Sequence, residues 1–288
     1  MAHPTWTARG QCIVITGAAG GIGQALANHL AAQGAKLLLC DVDASRLAAV
    51  VKPLRARGVE CLSAVADVAD PQAWGALAAQ AQAAWGGADV LVNNAGVGLV
   101  APVESMALAD AQWLMGINFW GVVHGCRAFI PLLRGRPGAV FVNISSIFAM
   151  VSMPTQGMYN AAKAGVRAFS DALREELRPD AIAVLCVHPG GVRTGIVERS
   201  RLGDIRMLAD SRQVLVDGFA EAARCTPDAA AAAIVGAIQR GQTRLLIGAD
   251  ARLLDWLFRW APARASAWFS ALARQQRQRR RQRQRQRG

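Results

Sequence analysis

Short aliphatic runs recur along the first 248 positions, and stretches with helical spacing of apolar residues separate them. The runs at 12–16, 36–41, 61–66, 90–93, 139–144, 183–188 and 245–247 are expected strands. Several are unbroken in Val, Ile and Leu, as strands buried on both faces of a parallel sheet are. Positions 44–57, 71–85 and 159–178 carry the apolar period of amphipathic helices. Strand and helix in alternation predict βαβ units, hence an α/β, doubly wound parallel sheet of about seven strands.

The rhythm breaks between positions 189 and 223, a connection too long for an ordinary αβ loop and of the kind that forms functional lids. After Gly248 the pattern changes again. Leu253, Leu254, Trp256, Leu257, Phe258, Trp260, Trp268, Phe269 and Leu272 give an amphipathic character over 249–273, with Pro262 expected to separate two short helices. Positions 274–288 are almost entirely Arg and Gln, a low-complexity composition that predicts disorder. The chain thus reads as one domain over 1–248, a helical appendage over 249–273 and a disordered tail over 274–288.

Composition adjusts this picture in two places. The formal net charge of +12 suggests a nucleic-acid partner, but eight arginines lie between Arg274 and Arg287 with no acid among them. The remainder is only mildly basic, and the tail lacks the interleaved aromatics of a sequence reader, so no specific nucleic-acid partner is expected. The six cysteines form no CxxC pair and share no metal-ligand spacing with the four histidines. A reduced, cytoplasmic protein without a metal is the expectation. The N-terminus shows no charged-then-apolar signal pattern, and no apolar stretch is long enough to span a bilayer.

The chemistry begins where the first strand runs into Thr16-Gly17-Ala18-Ala19-Gly20-Gly21-Ile22-Gly23 and then a helix. Glycines there allow a tight turn and close approach of backbone to a pyrophosphate, and the helix N-terminus offers free N–H groups. Asp41 ends the second strand, where a carboxylate can bond ribose hydroxyls and repel a 2′-phosphate. No Arg or Lys lies within the glycine turn, so NAD(H) is favoured over NADP(H). A capping role for Asp41 or Asp43 at the helix starting at Ala44 is the competing reading of these acids.

The spacing of Gly17, Gly21 and Gly23 is not the common GxGxxG but resembles the TGxxxGxG of the short-chain dehydrogenase/reductase family. The resemblance covers roughly residues 10–248. It implies a Rossmann-type fold and gives further residues roles. Asp67 and Val68 after the third strand would cover the adenine. Asn93-Asn94-Ala95-Gly96 matches the NNAG element beside the cofactor. Pro189-Gly190-Gly191-Val192-Arg193-Thr194 resembles the PGxVxT element, whose backbone contacts the nicotinamide carboxamide and whose Thr194 reaches the cofactor.

Tyr159 and Lys163 are four apart in a helical pattern and share a face. With a single Tyr and three Lys in the chain, chance would supply that offset only about 1% of the time. Carbonyl reduction needs a proton donor at the developing alkoxide, and alcohol oxidation needs a base there. A cation close to a tyrosine hydroxyl would lower its pKa, and Lys163 would also reach the nicotinamide ribose. By resemblance, Ser146 bonds the substrate oxygen, fitting better than its neighbour Ser145, and Asn118 holds a water in a proton relay to the lysine. Asn118, Ser146, Tyr159 and Lys163 complete the family's catalytic set.

The expected activity is hydride transfer between NAD(H) and a secondary alcohol or ketone. Phe148, Met150, Val151, Met153, Ile196, Val197, Leu202, Ile205 and Met207 suggest a lipophilic small-molecule substrate, or simply pack the lid. An epimerase or dehydratase on this scaffold fits the glycine spacing and length less well. A non-enzymatic nucleotide-binding or membrane-surface adaptor protein would be favoured by a broken catalytic set. The family resemblance implies a homodimer or homotetramer. The C-terminal apolar face is expected to dock on the body or a neighbouring subunit, or, with its Arg tail, on an anionic membrane surface, making the protein peripheral there.

Overall fold

A computed structural model describes residues 6–205, 209 and 211–261. Seven strands form one parallel sheet: β1 (Cys12–Thr16), β2 (Lys36–Asp41), β3 (Cys61–Val65), β4 (Val90–Asn93), β6 (Val140–Ile144), β7 (Ala183–Pro189) and β9 (Arg244–Ile247). Their order is β3-β2-β1-β4-β6-β7-β9, so the winding reverses between β1 and β4. That reversal opens a crevice at the carboxyl ends of the strands, where ligands of such sheets bind. Each predicted strand is present, with ends shifted by a residue or so.

The strands hold because alternate side chains feed two cores. Ile13, Ile15, Leu37, Leu39, Val90 and Val142 face α1 (Gly21–Ala32), α2 (Ala44–Ala56) and α8 (Pro227–Gln239). Val14, Leu38, Leu91 and Phe141 face α3 (Pro71–Trp85), α5 (Gly121–Leu133) and α6 (Gly157–Glu176). Burying an aliphatic side chain of this size stabilises by roughly 1.5–3 kcal/mol. On the second face Trp74 meets Phe129 edge-on at 6.1 Å between ring centres, and its indole N–H donates to the Val68 carbonyl at 2.9 Å. That bond fixes the turn after β3.

The long connection after β7 has structure of its own. Its Arg201–Leu202 (β8) pairs in parallel with Leu99–Val100 (β5), and α7 (Arg212–Ala222) follows. Periodicity could not reveal a two-residue ladder, because the pairing partner is supplied by tertiary contact. Between α4 (Leu108–Met115) and α5 the backbone takes a π-helical turn, Gly116–Trp120. The chain then ends its described part in α9 (Ala249–Trp260). The second C-terminal helix and the Arg/Gln tail predicted from sequence lie outside the described residues.

Candidate active site

A cleft of about 670 Å³ opens along the carboxyl edge of the sheet. Its walls bring together Gly17, Gly21, Ile22, Asp41, Asp67, Val68, Asn94, Ala95, Gly96, Ser146, Tyr159, Lys163, Pro189, Gly190, Val192 and Thr194. Thr16, Gly23 and Asn118 support these walls from behind.

The glycine turn is shaped by close approach. Gly17 has φ +62°, and a Cβ there would lie 2.7 Å from the Ala95 Cα. A side chain at Gly23 would collide with the Gly17 carbonyl and the Asn94 amide. A Cβ at Gly21 would come within 2.9 Å of the Thr194 methyl, so the loop after β7 packs directly on the turn. Asn94 ties the two together by donating to the carbonyls of Thr16 at 2.9 Å and Gly17 at 3.1 Å. The Thr16 hydroxyl accepts from the backbone N–H groups of Asn94 and Ala95, each at 3.1 Å. Thr16 and Asn94 therefore act on the shape of the cradle, which a dinucleotide pyrophosphate would fill.

Asp41 and Asp43 differ in their bonds, and the capping role falls to Asp43. Asp43 caps α2, accepting from the Arg46 N–H at 3.0 Å. Asp41 instead accepts from the Ala19 N–H at 2.9 Å and the Asp43 N–H at 3.1 Å, which holds its carboxylate on the cleft wall. Two arginines, Arg46 and Arg199, stand on the same wall of the cleft. The Arg46 guanidinium donates to the Ala19 carbonyl at 2.5 Å. Arg199, from the connection after β7, also lines the cleft; burial lowers its pKa, with the Arg46 charge acting the same way and Glu198 and Asp41 opposing. The absence of a cation within the glycine turn thus says little about cations near it, because distant segments deliver both arginines.

At the other end of the cleft lie the catalytic candidates. Tyr159 and Lys163 project from one face of α6, and Ser146 caps the short turn after β6, accepting from the Phe148 N–H at 3.1 Å. Burial pushes the Tyr159 hydroxyl above its ordinary value, and a bond with the Ser146 hydroxyl pulls it partly back. The expected lowering by Lys163 is not what this geometry gives. The Lys163 ammonium lies 5.8 Å from the centre of the Tyr159 ring and donates to the Ile144 carbonyl at 2.9 Å. Burial holds that ammonium down at about 8, with Cys186 acting in the opposite sense. Ser145 is distinguished from Ser146 by its bond to the Lys163 carbonyl at 2.8 Å, which orients α6.

Asn118 lies in the π-helical turn and is fully buried. Its side chain accepts from the Val97 N–H at 2.8 Å and donates to the Val97 carbonyl at 2.9 Å. A Cβ on Gly96 would come 3.3 Å from the Asn118 Oδ1 and 3.5 Å from the Lys163 Nζ. Asn118 therefore fixes the segment that runs past the lysine. π-Turns of this kind recur at functional sites.

Two more residues complete the floor. The Gly191 N–H donates to the Asp250 carboxylate at 2.8 Å, and Gly190 donates to the Ile247 carbonyl at 2.9 Å, so α9 and β9 set the loop after β7. His188 is wholly buried beneath Ser146, its Nδ1 3.3 Å from the Ser146 carbonyl. Of the apolar candidates, Phe148, Met153, Ile196 and Val197 line the cleft. Met150 and Val151 pack against α9 instead, Leu202 of β8 pairs with Val100 of β5, and Met207 lies outside the described residues. Leu99, Val100, Phe219 and Leu254 also line the cleft and were not anticipated. Among the described residues, no group of three or more His, Cys, Asp or Glu is arranged to hold a metal ion.

A doubly wound sheet with a glycine turn, an acid at the end of β2 and a Ser–Tyr–Lys constellation in one cleft has the layout of a dinucleotide-dependent oxidoreductase. Residues 11–204 match the family model of the short chain dehydrogenases, and the chain belongs to that family. SadH of Mycobacterium tuberculosis, a protein named as an oxidoreductase, is 37% identical over 253 residues, covering 87% of this chain and 90% of its own. A short-chain dehydrogenase/reductase of Burkholderia phymatum, solved in complex with NAD, superposes with a TM-score of 0.78 at 32% identity, covering 88% of this chain and 96% of its own. The L-sorbose reductase of Gluconobacter frateurii, solved with NADPH and L-sorbose, gives a TM-score of 0.74 at 26% identity, covering 85% and 97%. The adaptor reading is not favoured, since the chain belongs to an oxidoreductase family and Ser146, Tyr159 and Lys163 line one cleft.

Proposed function

We propose that the protein transfers hydride between NAD(H) and a lipophilic secondary alcohol or ketone, with Tyr159 as acid/base. The observation carrying this reading is the convergence of Ser146, Tyr159 and Lys163 at one end of the cleft whose other end presents Asp41 beside the glycine turn. The residues fit a dinucleotide: Gly17, Gly21 and Gly23 leave a cradle that any Cβ would fill, and the Asp41 carboxylate stands where ribose hydroxyls are read. Gly17, Gly21, Ile22, Asp41, Asp67, Val68, Asn94, Ala95, Gly96, Pro189, Gly190, Val192 and Thr194 would hold it, with Lys163 at its nicotinamide ribose. When bound, the nicotinamide supplies or accepts the hydride.

This chain's own residues manage the proton. Ser146 orients the substrate oxygen and donates to it. Tyr159 passes its hydroxyl proton to the oxygen in reduction and takes it back in oxidation. Lys163, steadied by the Ile144 carbonyl, would hold the cofactor's ribose on the same helix face as Tyr159. Asn118 keeps the Val97 segment, and so the lysine's surroundings, in place. Phe148, Met153, Ile196, Val197, Leu99 and Leu254 give the substrate end an apolar lining that excludes water and suits a lipophilic substrate.

Asp41 favours NAD(H). A second reading, acceptance of NADP(H) as well, draws on Arg46 and Arg199 beside it. Fluorescence titration with NADH and NADPH, on wild type and Asp41→Ala, decides. Tight NADH binding, weak NADPH binding and erosion of that preference in the variant support the first reading. Equal binding of both supports the second, and binding of neither overturns the proposal. The six free cysteines, five of them buried, fit a reducing, cytoplasmic setting. A homodimer or homotetramer is proposed with it, to be checked by light scattering.

A further inference from the structure

The last described helix, α9, carries two apolar faces. Ala251, Leu254 and Phe258 turn inward and pack with Ile147, Val151, Phe148 and Leu246. Leu253, Trp256 and Trp260 follow the same three-then-four spacing on the other side, and are 55%, 58% and 75% exposed. Arg252 and Arg259 border this outer face, while Asp255 is bound inward to Arg244. Among the described residues, the other large exposed apolar side chains are scattered over other elements, Trp120 being stacked on His124. A helix with one face docked does not need a second apolar face for folding.

We propose that the outer face of α9, together with the basic chain that follows it, binds the surface of an anionic lipid bilayer. Charge complementarity selects that occupant. After Trp260 the sequence contains nine arginines and no acidic residue. Tryptophan suits the bilayer interface, with an apolar ring and a polar N–H. Arginines immediately beyond an amphipathic helix are attracted to anionic headgroups. A second copy of the chain is the competing occupant, and it would meet this face with the same basic border, Arg252 and Arg259. No helix among the described residues is long and apolar enough to cross a membrane, so the helix would lie on the surface.

The test is co-sedimentation of the full chain with phosphatidylcholine vesicles, with and without phosphatidylglycerol. The wild type is expected to sediment only with the anionic vesicles, less so as salt rises. A triple variant, Leu253→Ser with Trp256→Ser and Trp260→Ser, should bind them roughly ten-fold or more weakly while keeping NADH binding and melting temperature. A second variant, with the eight arginines from Arg274 to Arg287 changed to Gln, should lose the preference for anionic vesicles. Binding unchanged in the triple variant would overturn the proposal, because the basic chain alone would then suffice. So would failure of the wild type to sediment, or a dimer that the triple variant converts to monomer without any effect on vesicles.

Discussion

The Lys163 ammonium faces the Tyr159 ring from 5.8 Å, while its hydrogen bond goes to the Ile144 carbonyl 2.9 Å away. The lysine is thus anchored to the end of β6, the strand that leads into Ser146. The sheet edge, the serine and both helical residues are consequently one mechanical unit. Moving α6 by a fraction of a turn would break the contact to Ile144, so the division of labour between these residues can be tested by single substitutions.

Tyr159→Phe removes the proton donor without a change of shape. The expected outcome is a fall in kcat of about 100-fold or more, the usual scale for losing a general acid, with NADH affinity nearly unchanged. Lys163→Met should lower kcat similarly and also weaken NADH binding, if Lys163 holds the nicotinamide ribose as proposed. Steady-state kinetics alongside NADH titration separates the two. Equal loss of cofactor binding in both variants would contradict the assignment.

Burial raises the Tyr159 hydroxyl, so its base form is scarce at neutral pH. Alcohol oxidation, which needs that form, should accelerate as pH rises, and carbonyl reduction should be faster on the acidic side. Profiles of kcat/KM against pH in both directions check this. An oxidation rate that falls steadily with rising pH would remove Tyr159 from the role of base.

Gly17→Ala places a methyl group 2.7 Å from the Ala95 Cα on a backbone at φ +62°. Left-handed backbone and collision together should cost roughly 2–4 kcal/mol. Urea unfolding should show the loss directly, and NADH binding should weaken with it. Gly58, also left-handed at φ +78° but with nothing near its Cβ, serves as the control that pays only the backbone cost.

How much of this was legible in the sequence varies with distance along the chain. The central strands β1, β4 and β6 announced themselves as apolar runs buried along their whole length, and the edge strands β3 and β9, only partly buried, as shorter runs in the same rhythm. The glycine turn and the Tyr159–Lys163 pair were legible because their chemistry lies within one local element. Arg46, Arg199 and Asp250 were not, since each reaches the cleft from an element remote from the residue it serves. Nor could the sequence separate the two apolar faces of α9, because Leu253 and Leu254 are equally hydrophobic and only packing against Ile147 and Val151 tells them apart.

Asp250 accepts from the Gly191 N–H at 2.8 Å and so fixes the loop after β7 from the first turn of α9. Asp250→Ala should leave that loop looser. We expect the NADH dissociation constant to rise by several-fold, with kcat at saturating cofactor nearly unchanged and Asp250→Asn partly restoring affinity. A drop in kcat with unchanged affinity would instead place Asp250 in the chemistry.

His188 provides a pH test of stability. It is wholly buried under Ser146, and burial holds its pKa down from 6.5 to about 4. The Ser146 carbonyl and Asp255 favour its charged form, while Arg244 and Arg167 oppose it. With the folded value below the unfolded one, the unfolded chain binds the extra proton as pH falls. The contribution is therefore complete above about 6.5, declines through the window down to about 4, and amounts to roughly 3 kcal/mol at most. Urea unfolding between pH 7 and pH 4.5 should show wild type losing stability more steeply than His188→Gln, which cannot take up that proton. Parallel slopes for the two proteins would mean that His188 is not the group whose protonation opposes the fold in that range.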